Sequence, residues 1–169
     1  MALLAAASLG MSAQTTDYYY RQGDMSVVGG LGYQSNYGRF GISGQYRYYL
    51  SNVIRVAPDI TFFFPKDKVT GLDINLNLHY VINMNEARFT FYPLAGIGMQ
   101  NNFYGKQTVI AADGQPVETD SRSKTNLGVN LGAGITYNLT PRSYLNLEGK
   151  FMFGDQDNAV FMLGYGWRF

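Results

Sequence analysis

Residues 72–82 read Leu-Asp-Ile-Asn-Leu-Asn-Leu-His-Tyr-Val-Ile, and this stretch decides the fold. Every even-numbered position carries an aliphatic residue or Tyr, whereas four of the five odd-numbered positions carry a polar residue. Successive side chains of a β-strand point to opposite faces, so this alternation predicts a strand with one apolar and one polar face. The same period of two recurs in residues 127–137 and 159–169, and no segment shows a sustained helical period.

The alternating segments, bounded by Gly, Asn, Asp and Pro, predict eight strands. They cover residues 25–34, 40–50, 54–64, 71–82, 89–99, 126–137, 143–153 and 159–169. Apart from residues 100–125 the connections are short, so the fold class is predicted as all-β: an eight-stranded antiparallel up-and-down transmembrane β-barrel. Pro58 and Pro93 fall inside predicted strands, where a missing N–H interrupts the ladder, and we expect a local bulge at each.

Composition indicates which face of the barrel meets lipid. Charged residues make up 15% of the chain, against about 25% in a typical soluble domain. The apolar face carries no charged or amide side chain, as contact with hydrocarbon requires. An eight-stranded barrel is only wide enough for side chains to fill, so charges on the polar face must pair. The predicted lumen network comprises Arg47, Arg55, Asp59, Asp73, Asn75, Asn77, His79, Asn146, Glu148, Lys150 and Arg168.

Aromatic residues cluster near the predicted strand ends, which is typical of the girdles that outer-membrane barrels place at the headgroup level. An alternative interpretation is ordinary packing between neighbouring strands. The predicted girdle residues are Tyr46, Tyr48, Tyr49, Phe62, Phe63, Phe64, Tyr80, Phe89, Phe91, Tyr92, Tyr137, Trp167 and Phe169.

The first residues resemble the apolar core and small-residue cleavage site of a secretory signal peptide, without its basic start. We therefore predict a signal peptide remnant over residues 1–14, a periplasmic segment over residues 15–24 and the barrel over residues 25–169. The leader is too short to span a bilayer as a helix, and no other stretch offers enough apolar residues.

Several function classes are disfavoured by the composition. A net charge of +1 argues against a nucleic-acid partner, and the absence of cysteine excludes disulfides and thiolate metal sites. The only histidine, His79, lies on the polar face, so no catalytic residue, metal site or cofactor is predicted. Asp155 and Asp157 have the spacing of a calcium loop, but no matching Glu follows them.

Four segments carry a family resemblance. They are Tyr46-Arg-Tyr-Tyr-Leu-Ser-Asn-Val-Ile-Arg-Val56, Leu76-Asn-Leu-His-Tyr80, Tyr92-Pro-Leu-Ala-Gly-Ile-Gly98 and Gly164-Tyr-Gly-Trp-Arg-Phe169. The chain resembles the small outer-membrane β-barrel family, described as OmpX- or OmpA-barrel-like and as "porin family". The resemblance implies the outer membrane of a Gram-negative-type bacterium, surrounding lipid and lipopolysaccharide, and both chain ends at the periplasmic rim. It also implies that Tyr165, Trp167 and Phe169 form the C-terminal signal read by the outer-membrane assembly machinery.

Residues 100–125 form the longest connection, which the resemblance places outside the cell. Asp113-Gly114 is a strong hairpin signal, so the fifth and sixth strands are expected to extend as a protruding ribbon. An exposed ribbon edge can pair with a strand of a surface or envelope protein. The candidate binding residues are Tyr104, Lys106, Asp113, Gly114, Glu118, Arg122 and Lys124.

Three functional hypotheses follow. The first is a structural, surface-interaction or accessory barrel with a lumen plugged by side chains. The second is a narrow channel for water, ions or small solutes through the same lumen. The third is an outer-membrane lipid-modifying enzyme, which would need His79 in an acid–base pair.

Overall fold

The alternating segments form eleven strands in the computed structural model, which describes residues 19–84, 86–110 and 116–169. Three of these strands are short: β5 (Ile82–Met84), β7 (Gln107–Ile110) and β8 (Pro116–Thr119). The eight long strands are β1 (Met25–Gln34), β2 (Arg39–Tyr49), β3 (Ile54–Lys66), β4 (Val69–Tyr80), β6 (Phe89–Tyr104), β9 (Arg122–Asn138), β10 (Ser143–Gly154) and β11 (Asn158–Arg168).

The eight long strands close into an antiparallel barrel, because β1 pairs with both β2 and β11. Each of the other long strands pairs with the long strand before it and the one after it. When the paired residues are followed from Met25 around the barrel, the path returns to Ser35, the residue after β1, which is ten positions further along the chain. Such an offset requires strands tilted by about 35–45° to the barrel axis. The predicted fold is therefore confirmed.

The apolar side of the barrel faces outward. Leu76, Leu131 and Trp167 are 48%, 49% and 46% exposed, whereas Asn75 and Glu148 are 3% and 1% exposed. The outward side chains form a continuous apolar surface around the barrel, which we call the lipid-facing belt. Within the described residues, the structure contains no helix that is long and apolar enough to cross a membrane.

The two ends of the barrel differ in their connections. The terminal rim carries residues 19–24 and Phe169, together with the short turns at residues 50–53, 86–88 and 139–142. The opposite end, the hairpin rim, carries residues 35–38, the Asp67–Lys68 turn, residues 105–110 and 116–121, and residues 155–157. Asp67 and Lys68 have φ values of 51° and 63°, which is the geometry of a tight type I′ hairpin turn.

β6 and β9 continue past the other strands as a ribbon, which we define as the described residues within 100–125. Their register is constant from Phe89–Tyr137 to Tyr104–Arg122, and β7 and β8 pair in the same register. The β9–β10 ladder ends at Gly128–Gly154, so residues 122–127 have no second strand beside them among the described residues.

The predicted strands stop short of the ribbon for a physical reason. Alternation predicts a strand only where lipid selects apolar residues on one face, and residues 100–102 and 122–126 are polar on both faces. The Asp113-Gly114 turn lies outside the described residues.

Pro58 and Pro93 produce no bulge, so that prediction is wrong. The β3–β4 register is constant from Ile54–Tyr80 to Phe63–Gly71, and the β6–β9 register is constant through Pro93. Each proline interrupts one ladder only: the β2–β3 pairing skips the positions opposite Pro58, and β4 gives way to β5 opposite Pro93. Both rings face outward, so each strand loses one donor without changing its register.

Three of the predicted girdle residues are also misplaced. Tyr49, Phe63 and Tyr92 are fully buried inside the barrel. Their neighbours on either side in sequence face outward, so the period of two requires these three to face inward despite their residue type. The girdle residues on the outer side are Tyr46, Tyr48, Phe62, Phe64, Tyr80, Phe89, Phe91, Tyr137, Trp167 and Phe169.

The outward orientation of the lipid-facing belt can be tested by placing an arginine at two different depths in the membrane. We expect Leu131→Arg, near the middle of the belt, to lower the free energy of unfolding by about 2–4 kcal/mol, because a cation there leaves water for hydrocarbon. Leu139→Arg, in a turn at the terminal rim, is the matched control and should cost about 0–1 kcal/mol. Urea unfolding in lipid vesicles, followed by the fluorescence of the only tryptophan, Trp167, measures both. Equal costs at the two positions would contradict the outward-facing assignment.

Candidate functional site

The inward-facing side chains of the strands fill the lumen with polar groups. The structure places ten of the eleven predicted network residues inside the barrel as buried side chains, and Arg168 half-buried at the terminal rim. The ten buried residues are Arg47, Arg55, Asp59, Asp73, Asn75, Asn77, His79, Asn146, Glu148 and Lys150.

An ion pair between β3 and β10 lies at the centre of the lumen. Lys150 Nζ lies 2.8 Å from both carboxylate oxygens of Asp59. The Nδ2 groups of Asn75 and Asn77 each donate to one of the same oxygens, also at 2.8 Å. Asn130 Nδ2 donates to the side-chain oxygens of both asparagines, at 2.9 and 3.0 Å. The buried carboxylate therefore has a cation and two amides as partners, which offsets the cost of removing it from water.

A second ion pair lies towards the terminal rim. Arg47 NH2 lies 3.6 Å from Glu148 Oε2 and donates to the Tyr92 hydroxyl at 2.9 Å and to Asn146 Oδ1 at 2.8 Å. The Tyr92 hydroxyl is 2.8 Å from Glu148 Oε2. Gln45 completes the ring, since its Oε1 accepts from Arg47 Nε at 2.5 Å and its Nε2 donates to Glu148 at 3.3 Å. Hydrogen bonds thus connect β2, β6 and β10 across the lumen.

Arg55 has no carboxylate within ion-pair distance among the described residues. Its Nε donates to His79 Nδ1 at 3.0 Å, and its NH1 donates to the Tyr49 hydroxyl at 2.8 Å. The guanidinium lies 4.3 Å from the centre of the Tyr92 ring, and His79 stacks on that ring at 4.6 Å. Cation–π contact and neutral acceptors therefore take the place of an acid at this cation. Because His79 accepts at Nδ1, its imidazole is the neutral tautomer with a proton on Nε2.

Arg39 is the central residue of the layer nearest the hairpin rim. It was predicted to lie in the connection between the first two strands. Arg39 is fully buried, donates from Nε to Gln34 at 2.5 Å and from NH2 to Asn102 at 2.5 Å, and lies 4.4 Å from the Tyr37 ring centre. Its position next to Phe40, which faces outward, is the signal that could have identified it as inward-facing.

This layer is less completely hydrogen-bonded than the two ion-pair layers. Its polar groups without a partner among the described residues are Gln34 Nε2, Thr61 Oγ1, Asp73 Oδ1, both amide atoms of Gln100, Asn102 Nδ2, Asn126 Oδ1 and Asn158 Nδ2. Thr61, Asp73, Gln100 and Asn126 are directly paired across β3, β4, β6 and β9, so their unpaired oxygens form one row. Buried polar atoms of this kind are satisfied in folded proteins by ordered water or by further side chains.

Four side chains form a chain of hydrogen bonds at the hairpin rim. The Tyr37 hydroxyl lies 3.1 Å from the Tyr104 hydroxyl and donates to Gln156 Oε1 at 3.1 Å, and Asn126 Nδ2 donates to the same oxygen at 3.2 Å. Partial burial, followed by the hydrogen bond with Tyr104, raises the pKa of the Tyr37 hydroxyl, so it stays protonated as a donor.

The charges of the lumen differ from the predicted set by one cation. Arg39, Arg47, Arg55, Lys150 and Arg168 oppose Asp59, Asp73 and Glu148, an excess of two positive charges, where the predicted network gave an excess of one. Within the described part of the chain, no group of three or more His, Cys, Asp or Glu side chains is placed to hold a metal ion.

Glycines opposite large rings let those rings lie inside the barrel. Tyr92 pairs with Gly134, and Tyr144 pairs with Gly166. A methyl group at either glycine would overlap the facing tyrosine ring. The lumen can therefore hold these rings only because their cross-strand partners have no side chain.

The predicted loop and C-terminal residues lie at opposite ends of the barrel. Arg122 and Lys124 are exposed at the hairpin rim, Arg122 lies 5.2 Å from the Tyr104 ring centre, and Lys106 is exposed beside the ribbon. Glu118 lies in β8, and Asp113 and Gly114 lie outside the described residues. At the terminal rim Tyr165, Trp167 and Phe169 are exposed on the outer side.

The central ion pair can be tested by removing one or both charges. We expect Asp59→Ala to lower the free energy of unfolding by about 3–5 kcal/mol, because it leaves Lys150 buried without a counter-charge. The double variant Asp59→Asn with Lys150→Met removes both charges and should recover part of this loss. Asp155→Asn, at an exposed acid, should change stability by less than about 0.5 kcal/mol. Unfolding in vesicles measures all three, and a double variant no more stable than Asp59→Ala would contradict the pairing.

The role of the glycines that face tyrosine rings can be tested by adding one methyl group. Gly134→Ala should destabilise the barrel by about 1–3 kcal/mol, because the Tyr92 ring cannot move without losing its bonds to Arg47 and Glu148. Gly44 has open space where a methyl group would lie, so Gly44→Ala is the matched control. If both substitutions cost the same in the same unfolding measurement, ring accommodation is not the role of Gly134.

Comparison with known proteins gives a consistent family and fold. The family described as outer membrane protein beta-barrel domain matches residues 1–169. The N-terminal β-barrel domain of Pseudomonas aeruginosa OprF superposes with a TM-score of 0.67 at 20% identity, over 89% of this chain and 100% of that one. Ail, the attachment invasion locus protein of Yersinia pestis, superposes with a TM-score of 0.62 at 20% identity, over 88% of this chain and 99% of that one. OprG from Pseudomonas aeruginosa superposes with a TM-score of 0.63 at 14% identity, over 90% of this chain and 98% of that one.

A search of curated proteins finds no match to this sequence. The structural likenesses are below 25% identity, so they show the shared eight-stranded barrel and nothing finer. The family match, in contrast, covers the whole chain. The chain therefore belongs to the outer membrane protein β-barrel family and is a protein of the bacterial outer membrane.

Proposed function

We propose that this protein is a non-catalytic outer-membrane barrel with a structural or surface-interaction role, in which the ribbon is the contact surface. The observation that carries the proposal is a ribbon with an unpaired strand edge on a barrel whose lumen is filled. Residues 122–127 of β9 lack a second neighbour among the described residues, and β7 and β8 pair only with each other. An exposed strand edge offers unpaired N–H and C=O groups to a partner strand.

The filled lumen favours an interaction role over transport. Asp59 with Lys150 and Arg47 with Glu148 form successive layers of side chains across the barrel interior, and both pairs are buried. A side-chain plug of this kind leaves the outer surface as the part that can meet other molecules.

The surroundings of His79 favour a non-catalytic role. The histidine is buried in the lumen, its Nδ1 accepts from Arg55, and its ring lies flat on Tyr92. A general acid–base pair needs a Ser, Asp or Glu within hydrogen-bond reach of the imidazole, and His79 has instead a cation as its hydrogen-bond donor. The third hypothesis, a lipid-modifying enzyme, therefore has no support in this geometry.

The other proposed partners follow from position. Lipid and lipopolysaccharide would surround the lipid-facing belt, which carries apolar side chains on every long strand. Tyr165, Trp167 and Phe169 are exposed on the outer side near the chain's C-terminal end, where the assembly machinery would recognise them. A surface or envelope protein would pair with the ribbon.

A narrow channel is the second candidate, and one observation favours it. The unpaired polar atoms in the layer around Arg39 are groups that water or a passing ion can bind. Conduction through the whole barrel would also require water to pass the two ion-pair layers. Planar-bilayer recordings decide between the candidates: stable unitary conductance from the unaltered protein would refute the filled-lumen proposal.

The ribbon proposal can be tested by shortening the ribbon. In the test variant, residues 101–125 are replaced by Asn-Gly, which joins the paired residues Gln100 and Asn126 through a tight hairpin turn. We expect this variant to fold, shown by a migration shift between boiled and unboiled samples, and to lose the envelope protein that the full chain captures by crosslinking in native membranes.

The control keeps the ribbon and alters a different connection at the same rim. A variant with Asp155→Ala and Asp157→Ala should capture the same protein as the full chain, since both residues lie in the exposed 155–157 turn. Capture that survives the loss of residues 101–125 would refute the ribbon as the contact surface.

A further inference from the structure

Residues 19–24 run across the terminal rim before β1 begins. Gly23 N donates to Tyr49 O at 2.9 Å, Tyr49 N donates to Asp24 O at 3.0 Å, and Gln22 N donates to Asn52 Oδ1 at 3.0 Å. Gly23 has a φ of +91°, which glycine adopts without strain and which turns the chain back into β1. The segment is therefore fixed to the end of β2 and to the turn after it.

Tyr20 enters the lumen from this segment. It is 4% exposed, stacks on Tyr49 with ring centres 4.4 Å apart and planes 13° apart, and packs with the buried Val81. The Arg168 guanidinium lies 4.3 Å from the Tyr20 ring centre and donates to the Tyr20 hydroxyl. One ring thus contacts the end of β2, the residue between β4 and β5, and the end of β11.

The layer beneath Tyr20 is the last layer of the lumen. The Tyr49 hydroxyl accepts from Arg55, and the Ser26 hydroxyl lies 2.7 Å from the Tyr144 hydroxyl. Ser26 and Tyr144 are buried, although both belong to the first residues inside the terminal rim. Burial so close to a barrel end requires a cover. The Arg168 guanidinium lies 5.1 Å from the Tyr144 ring centre, and Tyr20 contacts both Arg168 and Tyr49, so Tyr20 and Arg168 together cover this layer.

We infer that residues 19–24 form a reversible cap that closes the terminal end of the lumen, with the Tyr20 ring as its anchor. The inference rests on the proposed function, in which side chains fill the lumen. It adds that residues 19–24 close the lumen at the terminal rim. The cap can open by movement of residues 19–22 about Gly23, because the backbone hydrogen bonds to Tyr49 begin at Gly23 and no strand pairing of the barrel involves residues 19–22. Opening exposes Tyr49, Ser26 and the cation Arg55 to the aqueous side.

The chain has no cysteine, so a single introduced thiol reports access to this layer. In the folded barrel in vesicles, Ser26→Cys should react slowly with methanethiosulfonate ethylammonium. Adding Tyr20→Ala should raise the rate by about tenfold or more, because labelling follows the fraction of open molecules. Adding Tyr20→Phe keeps the stacking and should leave the rate near that of Ser26→Cys alone.

Two controls separate cap opening from general loosening. Leu139→Ala removes an exposed side chain from the 139–142 turn at the same rim, outside the cap, and should leave the Ser26→Cys rate unchanged. Thr61→Cys, buried in the far half of the lumen, should stay unlabelled with and without Tyr20→Ala.

Each of the following outcomes would refute the proposal that residues 19–24 form a cap. Fast labelling of Ser26→Cys in the parent shows that no seal exists, and equal rates with and without Tyr20→Ala show that Tyr20 is not its anchor. Labelling of Thr61→Cys in the Tyr20→Ala background shows that the barrel itself has loosened. Fast labelling of Ser26→Cys in a parent that shows no conductance would refute the cap and leave the filled lumen standing, whereas a conductance from the parent would refute the filled lumen, so the two failures are distinguishable.

Discussion

Lipid on the outside of a barrel only eight strands wide is the constraint on which this structure depends. A charged side chain on a strand cannot face hydrocarbon, so it must face a lumen that has room for little except other side chains. Every buried charge therefore needs a partner from another strand. The result is a column of contacts in which Asp59 meets Lys150, and Arg47 meets Glu148, across the barrel.

The chain satisfies this constraint with fewer acids than cations. Tyr92 contacts three of the groups involved, since its hydroxyl binds Arg47 and Glu148 and its face contacts Arg55. Tyr20 and Tyr37 have a similar relation to Arg168 and Arg39 at the two ends. Tyrosine suits this role because it combines a hydrogen-bonding hydroxyl with a ring face that attracts cations. An excess of positive charge is thereby held inside without matching carboxylates.

Much of the fold was predictable because lipid imposes a period of two on the sequence. The pattern in residues 72–82 predicted the orientation of Leu76 and Asn75, and β1 has the predicted bounds. Prediction failed where residue type was given more weight than position: Tyr49, Phe63 and Tyr92 were assigned to the outer girdle although the period places them inside. The polar residues beyond Met99 carry no alternation, so the extension of the fifth and sixth strands was predicted from the Asp113-Gly114 turn signal, and the pairing of β6 with β9 out to Tyr104–Arg122 confirms it.

The individual contacts of the lumen could not be predicted from the sequence. The period of two determines which residues face inward, but the layer that each occupies depends on the ten-residue offset of the closed barrel, which sequence pattern does not reveal. Arg55 and His79 could be predicted to face the lumen, whereas their contact with Tyr92 required the register between β3, β4 and β6. Tyr20 lies outside any alternating segment and had no predictive signal at all.

The seam between β1 and β11 has a consequence for biogenesis. Ser26 pairs with Arg168, so the first strand of the barrel needs the strand that is synthesised last among the eight. Hairpins between consecutive strands can form locally, but ring closure is the contact of longest sequence separation and must wait for the complete chain. Until then β1 and β11 both expose hydrogen-bonding edges that invite association with other chains. A transit factor that shields those two edges would meet the requirement that the topology itself creates.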